Sequence, residues 1–181
     1  NLGDELMLRV IVRRILEARP GSRIYVRCRE DPHVAGAEAF PIERPALRIP
    51  AIRHIAYIAK AFIKLLSVDE LIIGGGTLFL DKGRRNQSTA LLAIVSFFAK
   101  LMNKRICIIG AGMDELTHPA NIRDLKGIFN RAGYIALRDA YSYERARELV
   151  SNARTLRSSD ILFDSKFCDA IYRKEAPGPK C

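Results

Sequence analysis

Three short stretches carry residue types suited to holding an anion. Gly74-Gly75-Gly76-Thr77 follows the apolar run Leu71-Ile72-Ile73. Consecutive glycines permit backbone angles that other residues avoid, and they let amides approach a phosphate or carboxylate closely; Thr77 adds a hydroxyl. Gly110-Ala111-Gly112 follows a second apolar run, Ile106 to Ile109. Arg138-Asp139-Ala140-Tyr141-Ser142 follows a third, Tyr134 to Leu137, and an arginine so placed can fork onto a carboxylate or phosphate. A fourth stretch, Asn1-Leu2-Gly3-Asp4-Glu5, opens a helical pattern. A helix amino end suits an anion or a sugar, with Asp4 as hydrogen-bond acceptor or general base.

Each stretch also has a plainer reading. Three glycines make a tight turn, Asn1 or Asp4 can cap a helix, and Asp139 can simply hold Arg138. The glycines form neither a Walker loop nor a dinucleotide fingerprint. His118, just before Pro119, reads as a capping or surface residue, and His33 and His54 suggest no chemistry.

The elements that must position these residues alternate along the chain. Leu8, Ile11, Val12, Ile15 and Leu16 recur at helical spacing until Pro20-Gly21, and Arg23 to Cys28 alternates like a strand. Pro32, Pro41, Pro45 and Pro50 mark an irregular connection with a short strand near Ala39-Phe40, and Ile52 to Leu66 is helical. The three apolar runs read as strands buried on both faces, ending at Gly74, Gly110 and Arg138. Helices fill the intervals, one capped by Ser88, one opened by Pro119 and one running from Tyr141 to Val150; a last strand is expected near Ser159 to Leu162. This order predicts an α/β fold, a Rossmann-like and mainly parallel sheet with helices on both faces. Ligands of such sheets bind outside the carboxyl ends of the strands, where the glycine loops and Arg138 fall.

A chain of 181 residues suits one well-buried domain, and no apolar run reaches the length of a membrane span. The four cysteines, Cys28, Cys107, Cys168 and Cys181, lack metal-site spacing, so no metal is expected and a reducing cytoplasm is favoured. The net charge of +10 suits an anionic substrate or loose contact with anionic lipid. No recognition motif accompanies it, so nucleic acid is not expected as a partner.

Taken in order, Asn1-x-Gly3-Asp4-Glu5, Gly74-Gly75-Gly76-Thr77-Leu78, Ile109-Gly110-Ala111-Gly112, Leu137-Arg138-Asp139-x-x-Ser142 and Ser159-Asp160-Ile161-Leu162-Phe163 resemble the amino-terminal half of the polysaccharide pyruvyl transferase family. The resemblance spans roughly residues 1 to 164 and implies the amino-terminal domain of a GT-B-like, two-domain enzyme. It implies transfer of pyruvyl from phosphoenolpyruvate to a sugar hydroxyl of a cell-surface glycan or exopolysaccharide, forming a ketal, with a glycan or lipid-linked sugar as acceptor. Phosphoenolpyruvate is the donor substrate and no cofactor is required.

By the same resemblance Arg138 grips the donor, while Asp4 and the Gly74 loop line the cleft. Asn1, Gly3, Gly74, Gly75, Gly76, Thr77, Gly110, Gly112, Arg138 and Ser142 form the candidate substrate-binding set, with Asp4 as the candidate catalytic base. A histidine acid and further arginines belong to a second domain, toward which residues 165–181 read as a linker. The chain departs from the family pattern in lacking a strand before Asn1, in lacking that second domain, and in having Gly110-Ala111-Gly112-Met113-Asp114 where Gly-x-Gly-Pro is commoner. The fragment alone is therefore not expected to turn over. The location expected is the cytoplasm or the inner face of its membrane. The alternatives are a nucleotide-sugar glycosyltransferase domain of the same architecture, and a non-catalytic α/β domain that binds an anionic surface or a partner.

Overall fold

The first helix, α1 (Leu2–Ala18), buries Met7, Val10 and Val12 and leaves Arg9 and Arg13 outside. Those arginines pair one turn away with Glu5 and Glu17, at 2.6 and 2.9 Å. Exposed pairs of this kind contribute only about 0.3–0.5 kcal/mol each, so the apolar face fixes the helix in place. The computed structural model describes residues 2–28, 34–41, 59–81, 83–150 and 155–157.

After α1 come β1 (Ile24–Cys28) and β2 (Ala37–Pro41), paired in parallel from Ile24 opposite Ala37. A helix, α2, covers 59–66, the described part of the helix expected from Ile52. The main sheet follows, with β3 (Glu70–Gly74), β4 (Thr77–Phe79), β5 (Arg105–Met113), β6 (Tyr134–Leu137) and β7 (Thr155–Arg157). Its order is β3-β5-β6-β7, with β4 also on β5, and every pairing is parallel. Between these strands run α3 (Gln87–Leu101), α4 (Pro119–Arg131) and α5 (Ala140–Leu149).

Helices flank the sheet on both sides. α3 packs on α4 and α4 on α5, and their inner faces meet Ile73, Ile106, Ile108 and Ile135 in one core. Phe79 and Phe129, both fully buried, meet edge to face with centroids 5.6 Å apart. Successive strand residues point to opposite faces. Accordingly Gly74, next to Ile73, turns its Cβ position to the other side, 3.1 Å from Cδ1 of Ile11 in α1. The Rossmann-like α/β expectation is met.

Several local expectations are corrected. The central strand β5 does not stop at Ile109 but continues to Met113. Gly110, at φ 63°, makes a bulge against β6, so Gly110-Ala111-Gly112 is strand and not loop. β4 was not anticipated; it resumes pairing with β5 after the Gly75-Gly76 kink. The cap of α3 is Asn86, whose side chain accepts from the amides of Ser88 and Thr89, in place of Ser88. A side-chain carbonyl two positions earlier reaches both free amides, and Ser88 already lies within the helix. The last described strand is Thr155–Arg157, and the strand expected at Ser159 to Leu162 lies outside the described residues, as does 165–181.

Cys107 is a free, part-buried thiol whose Sγ donates to Glu70 at 3.0 Å. Burial pushes its pKa up, and the neighbouring carboxylate pushes it further, to about 12. No helix among the described residues is long and apolar enough to cross a membrane. The described residues contain no cluster of three His, Cys, Asp or Glu side chains placed to hold a metal ion.

Candidate active site

The parallel sheet brings the ends of β3, β5 and β6 to one edge. There the chain leaves β3 at Gly74 and kinks through Gly75 and Gly76, at φ 82° and 67°. Only glycine holds two successive left-handed positions without strain. The kink stays against β5: Gly75 N donates to Ile109 O at 3.2 Å, and Gly112 N donates to Gly76 O at 2.9 Å. Gly76 N points at Sδ of Met7, 3.2 Å away, which brings α1 up to the loop. The Gly75 and Gly76 amides are thus occupied within the fold. The glycines provide close approach of chain segments more than a nest of free donors.

Arg138 follows β6 and crosses to this loop. Its Nη2 donates to Thr77 Oγ1 at 2.6 Å and its Nε to Asp139 Oδ2 at 3.4 Å. The guanidinium lies over Gly112, where an added Cβ would stand 2.5 Å from Nε and 2.9 Å from Cζ. Absence of a side chain at Gly112 therefore makes the room that Arg138 fills. The Arg138 side chain remains 28% exposed.

Asp139 caps α5, accepting from Ser142 N at 2.7 Å and Ser142 Oγ at 3.0 Å. The same hydroxyl accepts from Met113 N at 2.9 Å. Ser142 is fully buried with its hydroxyl engaged on both sides, which makes it a positioning residue that ties the end of β5 to α5. The plainer reading of Arg138, held by Asp139, is what this geometry shows.

The sheet edge thus unites Gly74, Gly75, Gly76, Thr77, Gly112, Arg138 and Ser142. Gly110 lies farther back, as the bulge within β5. Gly3 and Asp4 fall in the first turn of α1, less than two turns before Met7; the Asp4 side chain and the whole of Asn1 lie outside what is described.

A second network, missed from sequence, braces the neighbouring loops. Asp81 accepts from Gly83 N at 2.8 Å, Thr117 N at 2.9 Å and His118 N at 2.8 Å. Buried Asn121 accepts from Asn86 N at 2.7 Å and donates to Arg84 O at 2.9 Å. His118 caps α4 through its ring, which accepts from Ala120 N; the capping reading of this residue holds. The spacing Asp81-x-Gly83 carried a signal for the turn, but nothing local signals the partners 35 to 37 residues away.

These amide donors, His118 N foremost, hold the Asp81 carboxyl down at about 2. A lowered carboxyl pKa contributes stability above its unfolded value, near 3.9, and loses it as pH falls through the folded value. The Asp81→Asn chain is expected to melt below the native chain at pH 7, with the gap closing between about pH 4 and 2. Thermal melts of both across that range provide the check, and a gap that is independent of pH would contradict the assignment.

The fold and this edge define a parallel α/β domain with a braced, fork-shaped cation at the strand carboxyl ends. The family model for polysaccharide pyruvyl transferase matches residues 1–178, and the chain belongs to that transferase family. No curated protein and no solved structure matches it.

Proposed function

We propose that this chain forms the donor-binding side of a pyruvyl transferase cleft, acting on phosphoenolpyruvate and a sugar that bears two neighbouring hydroxyls. The observation that supports it most is the part-exposed Arg138 side chain, its guanidinium fixed between Thr77 and Asp139 over Gly112. Phosphoenolpyruvate carries a carboxylate and a phosphate on one carbon, and a planar fork with spare N–H groups suits either.

In the reaction a proton adds to the donor's methylene carbon, which becomes a methyl group and leaves an oxocarbenium-like centre. One sugar hydroxyl attacks that centre and phosphate departs; a second hydroxyl then closes the ketal. Of the two hydroxyl protons, one replaces the proton consumed and the other leaves with the phosphate or a base. Asp4 is the candidate base in this chain. The acid is, by family resemblance, a histidine. Arg138 steadies the charge as it moves to the departing phosphate. The acceptor is a glycan or lipid-linked sugar of a surface polysaccharide or exopolysaccharide, handled on the cytoplasmic side. No metal or cofactor takes part.

Calorimetry on the full-length polypeptide tests this against its rivals. Saturable binding of phosphoenolpyruvate, and release of phosphate when a sugar acceptor is added, are the expected results. Tight binding of a nucleotide sugar with none of phosphoenolpyruvate would transfer the site to a glycosyltransferase. Binding of neither would leave a non-catalytic domain.

A further inference from the structure

The opposite edge of the sheet, where β3, β5 and β6 begin, has a different character. A cleft of about 760 Å³ there is lined by Arg19, Lys100, Lys104, Arg105 and Arg131, against one carboxylate, Glu70. That carboxylate already bonds Arg19 and the Cys107 thiol and lies 3.8 Å from Arg105. Positive charge is therefore in excess across the cleft.

Beside it lies an apolar surface. Ile94, Phe97 and Leu101 recur on one face of α3 and are 38%, 50% and 70% exposed. On α2, Ile63 and Leu66 are 65% and 59% exposed. The helices are joined by Phe62, edge to face with Phe98 at 5.3 Å, and Phe98 in turn meets Phe97 at 5.6 Å. The two surfaces meet where the Arg131 guanidinium stands 5.5 Å over the Phe97 ring. Tyr134, 39% exposed, stands on the cleft rim.

Exposed Phe, Ile and Leu beside clustered Lys and Arg, with a tyrosine at the boundary, match a bilayer interface. Apolar side chains enter the acyl boundary while cations meet headgroup phosphates. We infer that this face of α2 and α3, with the basic cleft at the foot of the sheet, docks the protein on an anionic phospholipid surface. The occupant is chosen by charge: a second copy would bring the same cations against themselves, unless rotated well away from them. Docking here leaves the Arg138 edge at the far end of the strands open, and it stands whether or not phosphoenolpyruvate is the donor.

Vesicle flotation tests it with phosphatidylcholine alone and with phosphatidylcholine containing 30 mol% phosphatidylglycerol, chosen as roughly physiological in charge. The native chain is expected to float with the anionic vesicles only. The charge variant Lys100→Glu/Lys104→Glu and the apolar variant Phe97→Ser/Leu101→Ser are each expected to lower partitioning at least about tenfold. Circular dichroism on both variants establishes that they remain folded. Flotation unaffected by either variant would overturn the assignment. Loss with the charge variant alone would also overturn it, in favour of a site for free phosphate-bearing anions. So would an apolar variant that turns an oligomer into a monomer in sedimentation while the native chain ignores vesicles, since that assigns the face to a second copy.

Discussion

Arg138→Ala is expected to weaken phosphoenolpyruvate binding by the full-length polypeptide about tenfold to a hundredfold, with little loss of stability. Hydrogen bonds to charged groups are worth about 1.5–3 kcal/mol, and each 1.4 kcal/mol is a factor of ten. Stability changes little because Asp139 keeps its cap on α5 through Ser142 and is itself 41% exposed, so water takes the place of the guanidinium. Gly112→Ala supplies an independent route to the same loss. Its new Cβ would stand 2.5 Å from Arg138 Nε, and the obstacle is a flexible side chain that can swing aside. Charge is conserved but its position is not, so binding weakens while the fold survives. Titration calorimetry on both variants is the measurement. Native donor affinity in both would remove Arg138 from the site.

Gly74→Ala is expected to act on the fold instead. The added Cβ would meet the carbonyl oxygen of Ile109 at 2.8 Å and Cδ1 of Ile11 at 3.1 Å. That carbonyl belongs to the central strand and accepts from Gly75 N, so it cannot retreat without disturbing the β3–β5 register. Overpacking of this kind costs about 1–3 kcal/mol. In a chain of this size each kcal/mol lowers the melting temperature by about 2–4 °C. Thermal unfolding followed by circular dichroism measures it, and an unchanged midpoint would show that β5 yields freely at this point.

The two glycines carry opposite consequences because one faces backbone and the other faces a side chain, a distinction that no sequence pattern contains. Much else was legible. Short apolar runs separated by helical periods gave the parallel sheet, and the sheet alone explains how Thr77 and Arg138, 61 residues apart, come within hydrogen-bonding distance. Arg138 stood out because its residue type and strand-end position agree.

What escaped sequence reading depended on long-range partners or on a glycine's context. Gly110 reads locally as a terminator, yet here it bulges and lets β5 run on to pair with β4. Asp81, Asn86 and Asn121 are ordinary polar residues until the loops of β4 and β5 are placed side by side. Ser142 reads as a ligand hydroxyl, but the fold turns it inward to hold Met113.

The bracing of Arg138 bears on the thermodynamics of any anion it meets. A free arginine side chain gives up about 1.5–2 kcal/mol of rotamer entropy when it is immobilised. Here Thr77, Asp139 and the floor of Gly112 impose that ordering during folding. The encounter with ligand then begins from a side chain already set, and the entropic penalty that usually opposes association is smaller. Thr77 and Gly112 thereby influence affinity through the arginine: they decide how much disorder remains to be lost when the ligand arrives.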